Sequence, residues 1–237
     1  MCIRDRIRTY VKLIESSKVY DVAQITPITK ANQLSKALNN EVLLKREDLQ
    51  PVFSFKIRGA YNKLAKLKQK GVKGPFIAAS AGNHAQGVAF GAKNLGLKAF
   101  IVMPVTTPSI KVNSVKNYGG KVILHGDNFD EAYQYAAQLV SKEGYTFIHP
   151  FDDKDVIAGQ GTVGKELIEQ LDSDIDAIFV PVGGGGLLAG LGTYVKAFSP
   201  KTKIIGVEPH DAACLKLALD NNKRLSLAEV GLFADGV

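Results

Sequence analysis

Short apolar runs alternate along the chain with longer stretches whose apolar positions recur every three or four residues. The runs Val42-Leu43-Leu44-Lys45-Arg46, Phe76–Ala79, Ala99–Met103, Lys121–Leu124, Thr146–Ile148, Ala177–Val182 and Ile204–Val207 read as strands. The stretches near 29–38, 57–70, 84–95, 109–118, 128–143, 158–171, 187–198 and 211–220 read as helices. Strand–helix alternation predicts an α/β fold with mostly parallel sheets, because helix-length segments supply the crossovers that parallel strands need. No long linker, repeat or low-complexity tract interrupts the pattern, so two domains would be interleaved rather than joined by a hinge peptide. Residues 1–6, Met1-Cys2-Ile3-Arg4-Asp5-Arg6, fit neither period and read as a non-native prefix. The chain stops at Gly236-Val237 with no closing element, as a truncated fragment does.

Length and charge narrow the function. With 237 residues the chain can bury a core as one large or two modest domains. Its net charge of +7 comes from lysines scattered along helix faces, as in Lys63 to Lys70, with no arginine-rich or aromatic-interleaved tract. That distribution disfavours nucleic acid as a partner and leaves room for an anionic ligand. No apolar run approaches the ~20 residues of a membrane span, and no secretory signal opens the chain, which points to the cytoplasm. Cys2 and Cys214 are too few and too far apart for a disulfide framework or metal cluster.

Three clusters carry candidate chemistry. Gly183, Gly184, Gly185 and Gly186 lie between the strand ending at Val182 and a small-residue helix beginning at Leu187. Bare backbone N–H groups at a helix N-terminus cradle an anion. A dinucleotide is one guest, since Gly184, Gly186 and Ala189 satisfy G-x-G-x-x-A and Glu208 ends the next strand. Pro181-Val182 just before the loop, and more glycines than a tight dinucleotide turn needs, weigh against it. The second cluster, Ser54-Phe55-Lys56-Ile57-Arg58-Gly59-Ala60, sets Lys56 among small and apolar neighbours near a helix start. A lysine desolvated there has a lowered pKa and a freer amine, although one lysine among many is usually a surface residue. The third, Ser80-Ala81-Gly82-Asn83-His84-Ala85-Gln86-Gly87, joins a strand to a helix. It suits either carboxylate binding or simple capping by Ser80 or Asn83.

In this order and at these separations the clusters closely resemble the serine/threonine dehydratases, within the fold-type II pyridoxal-phosphate enzymes. The resemblance covers residues 7 to 237. It is strengthened by Lys45-Arg46-Glu47-Asp48, Gly126 to Ala132, Ile157 to Thr162, Ala213-Cys214-Leu215-Lys216 and Val230 to Val237, which look like the biosynthetic branch. It implies a tryptophan-synthase-β-like fold with two open, mostly parallel twisted sheets flanked by helices. A large domain would comprise 1–70 and 152–237, and a small mobile domain 71–151. It further implies that Lys56 is catalytic and carries pyridoxal 5'-phosphate covalently. Phe55 would lie against the pyridine ring and Asn83 would bond its 3-oxygen. The N–H groups of Gly183, Gly184, Gly185, Gly186 and Leu187 would hold the phosphate. Ser80, Ala81, Gly82, Asn83 and His84 would grip the substrate carboxylate. The implied reaction converts L-threonine, and L-serine as a second substrate, to the oxoacid and ammonia in a homo-oligomer, dimer or tetramer. Related racemases usually carry serine where Ala81 stands, so elimination without racemisation is expected. Cys214 stands where some relatives place a carboxylate metal ligand, so no metal is expected through Glu208. The residue facing the pyridine nitrogen would lie beyond Val237.

Overall fold

The computed structural model describes residues 3–171, 174–225, 227, 230, 231 and 234. Met1-Cys2 of the expected prefix and most of the Val230–Val237 motif lie outside the described residues. The remainder of that prefix is helical, which corrects the expectation that it fits no helix period: α1 runs Ile3–Glu15. Ile7, Val11 and Ile14 form its inward stripe, and Ile14 packs with Ala158 and Tyr194. That stripe begins only at Ile7, so the first six residues by themselves show no helical period.

Four parallel strands form the central sheet, in the order β5 (Lys121–Leu124), β4 (Ala99–Met103), β3 (Phe76–Ala79), β6 (Thr146–Phe147). One face packs on α3 (Lys56–Gln69), α4 (Asn83–Asn94) and α5 (Ser109–Asn117) through Ala60, Leu64, Val88 and Val112. The other packs on α6 (Phe129–Glu143) through Ala132, Ala136 and Leu139. Every residue of β3 is buried, as a strand covered by helices on both faces must be.

The remaining strands form two ribbons rather than one sheet among the described residues. β1 (Ile28–Lys30) pairs antiparallel with β2 (Leu43–Lys45). β7 (Ala177–Pro181) pairs in parallel with β8 (Lys203–Val207). The stretch expected as one helix over 29–38 is thus strand β1 followed by α2 (Asn32–Leu38), because Ile28-Thr29-Lys30 finds a partner strand. α7 (Lys154–Gln170) starts earlier than the apolar period suggests, since Asp153 caps it through the N–H groups of Asp155 and Val156. Between 211 and 220 the chain makes a 3-10 turn, His210–Ala212, and then α9 (Cys214–Asp220).

Helix α3 joins the two halves. One side belongs to the core of the four-stranded sheet and the other crosses α7 glycine on glycine. A Cβ at Gly159 would lie 2.6 Å from Gly59 Cα and 2.7 Å from Arg58 O. Asn62 Nδ2 donates to Asp155 O at 2.6 Å across the same contact. α8 (Gly186–Phe198) packs on α7 through Leu191 and Val195 against Val163 and Leu167.

Candidate active site

Lys56 is the first residue of α3. Ser54 Oγ accepts its backbone N–H at 3.2 Å, and Gly87 of α4 comes so close that a Cβ there would lie 3.1 Å from Lys56 O. Two helices therefore hold the turn that carries the amine. Its side chain is half-buried, with Nζ donating to Pro150 O at 3.1 Å and lying 5.5 Å from the centroid of the Phe55 ring. Burial lowers its pKa to about 8, so the amine surrenders its proton more readily than an exposed lysine.

Two residues further along, Arg58 is fully buried. Its guanidinium bonds Glu47 at 2.7 Å and both oxygens of Glu166 of α7, one of which, Oε2, also meets Lys45 Nζ at 2.6 Å. Burial alone would lower Arg58, but the Glu47 and Glu166 carboxylates outweigh it and hold its pKa above the usual value.

The loop from Ser80 to His84 leaves the carboxyl end of β3 and enters α4. Gly82 is the N-cap and no side chain caps the helix, so neither Ser80 nor Asn83 has the capping job. Ser80 Oγ accepts from Gly82 N at 3.2 Å, tightening the loop. Ser80, Ala81 and Gly82 are half-buried and Asn83 is exposed. His84 is buried, with Nε2 on Ile148 O at 2.9 Å and Nδ1 without a hydrogen-bond partner among the described residues. Burial, with a lesser push from the Lys56 charge, lowers its pKa to about 3 and keeps the ring neutral.

The glycine loop follows β7 and opens α8. Gly185 is its N-cap with φ 81°, a left-handed conformation that favours glycine. No side chain caps this helix either, so the first-turn N–H groups stay available. Phe151 fills the space behind the loop: a Cβ on Gly184 would run into its ring, and one on Gly186 would lie 2.9 Å from its carbonyl oxygen. Gly183 and Gly184 face solvent, while Leu187 is half-buried against the α7–α8 core.

Lys56, His84 and the glycine loop meet through one segment, Ile148 to Phe151, which supplies an acceptor to each of the first two and backs the third. Sequence reasoning missed this segment. Its only linear signal is a His-Pro-Phe tripeptide between a strand and an Asp-capped helix. Glu208 lies elsewhere in function: its two carboxylate oxygens accept from the N–H groups of Leu215 and Lys216 at 2.8 and 2.9 Å, at the start of α9. That carboxylate is occupied within the chain, which removes the acid a dinucleotide ribose would need.

Residues 19–237 match the family of pyridoxal-phosphate dependent enzymes. The chain belongs to that family. Pyridoxal phosphate is its cofactor. Among relatives, the chain is 60% identical over 228 residues to threonine dehydratase 1 biosynthetic, chloroplastic, of Solanum lycopersicum, covering 96% of this chain and 38% of that protein. It is 52% identical to the biosynthetic L-threonine dehydratase of Escherichia coli, covering 96% of this chain and 44% of that one. The chain thus spans less than half the length of these relatives. In structure it is similar to the processed form of threonine deaminase isoform 2 from Solanum lycopersicum. The TM-score is 0.95 and the identity 51%, over 98% of this chain and 64% of that one.

Proposed function

We propose that this chain is the cofactor-binding part of a threonine dehydratase, which converts L-threonine to 2-oxobutanoate and ammonia toward isoleucine synthesis. L-Serine is the second substrate. The observation that carries the reading is a half-buried lysine amine of lowered pKa, joined through Pro150 and Phe151 to an uncapped glycine cradle at a helix N-terminus. The names of the relatives supply the substrate.

The residues fit pyridoxal phosphate. Gly183 to Leu187 would hold its phosphate, since first-turn N–H groups and the helix dipole favour an anion where no Cβ obstructs the approach. Lys56 would hold it covalently, with Phe55 and Asn83 against its ring. When bound, the cofactor supplies an electron sink for the substrate's α-carbon. Lys56 Nζ would take the α-proton, a role suited to an amine whose pKa is lowered to about 8. The loop Ser80 to His84 would bind the substrate carboxylate through its open N–H groups. A neutral His84 adds no charge there. The β-hydroxyl leaves as water, and hydrolysis of the resulting enamine returns one water and releases ammonia.

The small domain 71–151 would close over the substrate, and the complete protein would be a homo-oligomer. No helix among the described residues is long and apolar enough to cross a membrane. A cytoplasmic location belongs to the proposal, beside relatives named chloroplastic and mitochondrial. The decisive variant is Lys56→Ala. It should abolish both oxobutanoate formation and the absorbance that stays with the chain after borohydride reduction and removal of free pyridoxal phosphate. Retention of either at the wild-type level would refute the role of Lys56.

A further inference from the structure

The bend between β6 and α7 is built around a ring nitrogen to which the family resemblance gives no role. His149 Nδ1 accepts from the backbone N–H of Asp152 at 2.8 Å and of Phe151 at 3.2 Å. A nitrogen that accepts N–H bonds carries no proton, so the ring is neutral with its hydrogen on Nε2. The ring meets Phe147 and Phe151 edge-on, with centroids 6.0 and 4.7 Å away. Within this bend Pro150 O receives Lys56 Nζ, and Phe151 backs Gly184 and Gly186.

We propose that His149 is a positioning residue. Its unprotonated Nδ1 folds residues 149–152 so that Pro150 O orients the Lys56 amine and Phe151 seats the glycine loop. Protonation of that nitrogen releases both. The inference rests on the proposed function, since the site it positions is the cofactor site. A protonated Nδ1 would point a hydrogen at two N–H donors, and the bend would lose both of its bonds.

The charged and titratable groups around the ring are Asp152 and Asp153 on the following turn, Arg224 beyond α9, Lys56 on α3 and His84 on α4. Burial is foremost in lowering the pKa of His149; the two aspartates oppose it, and Arg224 and Lys56 add to it. The net value lies below the ordinary 6.5. The neutral ring is therefore the form the fold favours. Its contribution is complete above that ordinary value and is lost as pH falls through the lowered one. His84, near 3, titrates below this window.

The test titrates pyridoxal phosphate onto the wild-type chain, His149→Asn and His149→Phe, by absorbance, from about pH 8 to pH 5 across the ordinary histidine range. Asn offers Oδ1 in the place of Nδ1 and does not titrate. Phe keeps the ring packing and lacks the acceptor. Lys56 titrates in all three, so differences among them isolate His149. His149→Phe should bind about tenfold more weakly near pH 8, the size expected for one to two lost hydrogen bonds. His149→Asn should restore affinity and flatten the acid loss seen in the wild type. Nitrogen NMR of the ring near neutral pH should show Nδ1 unprotonated, independently of binding. Equal affinity of wild type and His149→Phe, an unchanged acid limb in His149→Asn, or a hydrogen on Nδ1 would each overturn the inference and leave the proposed function standing. A wild-type chain that binds no pyridoxal phosphate at any pH would overturn both.

Discussion

Two charged residues of one helical turn illustrate opposite uses of burial. Lys56 is desolvated without a carboxylate beside its amine, and its pKa falls; Arg58, deeper still, is matched by Glu47 and Glu166 and stays charged. The first arrangement makes a reactive group, the second an anchor that ties α3 to α7 and to the segment around Glu47. Removing only the cation leaves Glu166 with Lys45 as its cation and Glu47 with the neutral donors Thr26 and Gln50. Arg58→Leu should therefore cost ~3–5 kcal/mol, the usual penalty for breaking a buried pair from one side. Denaturant unfolding followed by circular dichroism measures it, and a loss under ~1 kcal/mol would show that the cluster carries little of the stability.

At the scale of elements, glycines set the distances on which the site depends. α3 and α7 touch backbone to backbone at Gly59 and Gly159, and α4 presses Gly87 on the Lys56 turn. Gly159→Ala places a methyl against Gly59 Cα and Arg58 O, which are backbone atoms with no rotamer to escape into. A loss of ~1–3 kcal/mol follows from overpacking. The same displacement moves Lys56, so pyridoxal phosphate affinity should fall in parallel. Affinity measured well below the melting range, where the variant is folded, separates the two effects, and undiminished affinity would place the Lys56 turn outside the control of this crossing. The elements with a sharp internal period, α3, α4, α6 and α8, were legible in the sequence to within a residue or two. β1 was not, because a three-residue strand declares itself only through its partner β2, thirteen or more residues later in the chain. The early start of α7 was missed because it depends on a cap, Asp153, rather than on apolar spacing.

For the whole molecule, the proposed function predicts a reaction outcome from the groups placed around the site. Ala81 stands half-buried in the loop after β3 and has no group that exchanges a proton. If Lys56 is the single acid/base, as proposed, oxoacid should form from L-threonine and L-serine without racemisation; chiral chromatography of residual substrate checks this, and D-amino acid accumulating as fast as oxoacid would contradict it. The sequence by itself determined the α/β class with mostly parallel strands and the three motifs with their residues, because strand and helix periods and glycine-rich turns are local properties of a chain. It also carried the family resemblance, which rests on the order of those motifs. Only the tertiary structure decided that Glu208 is a helix cap, that Arg58 is buried among carboxylates, and that Ile148 to Phe151 joins Lys56, His84 and the glycine loop. Apart from those of Glu208, which span seven and eight residues, these contacts reach up to about a hundred residues along the chain, and a hydrogen bond or a buried charge at such separation is chosen by packing rather than by any local pattern.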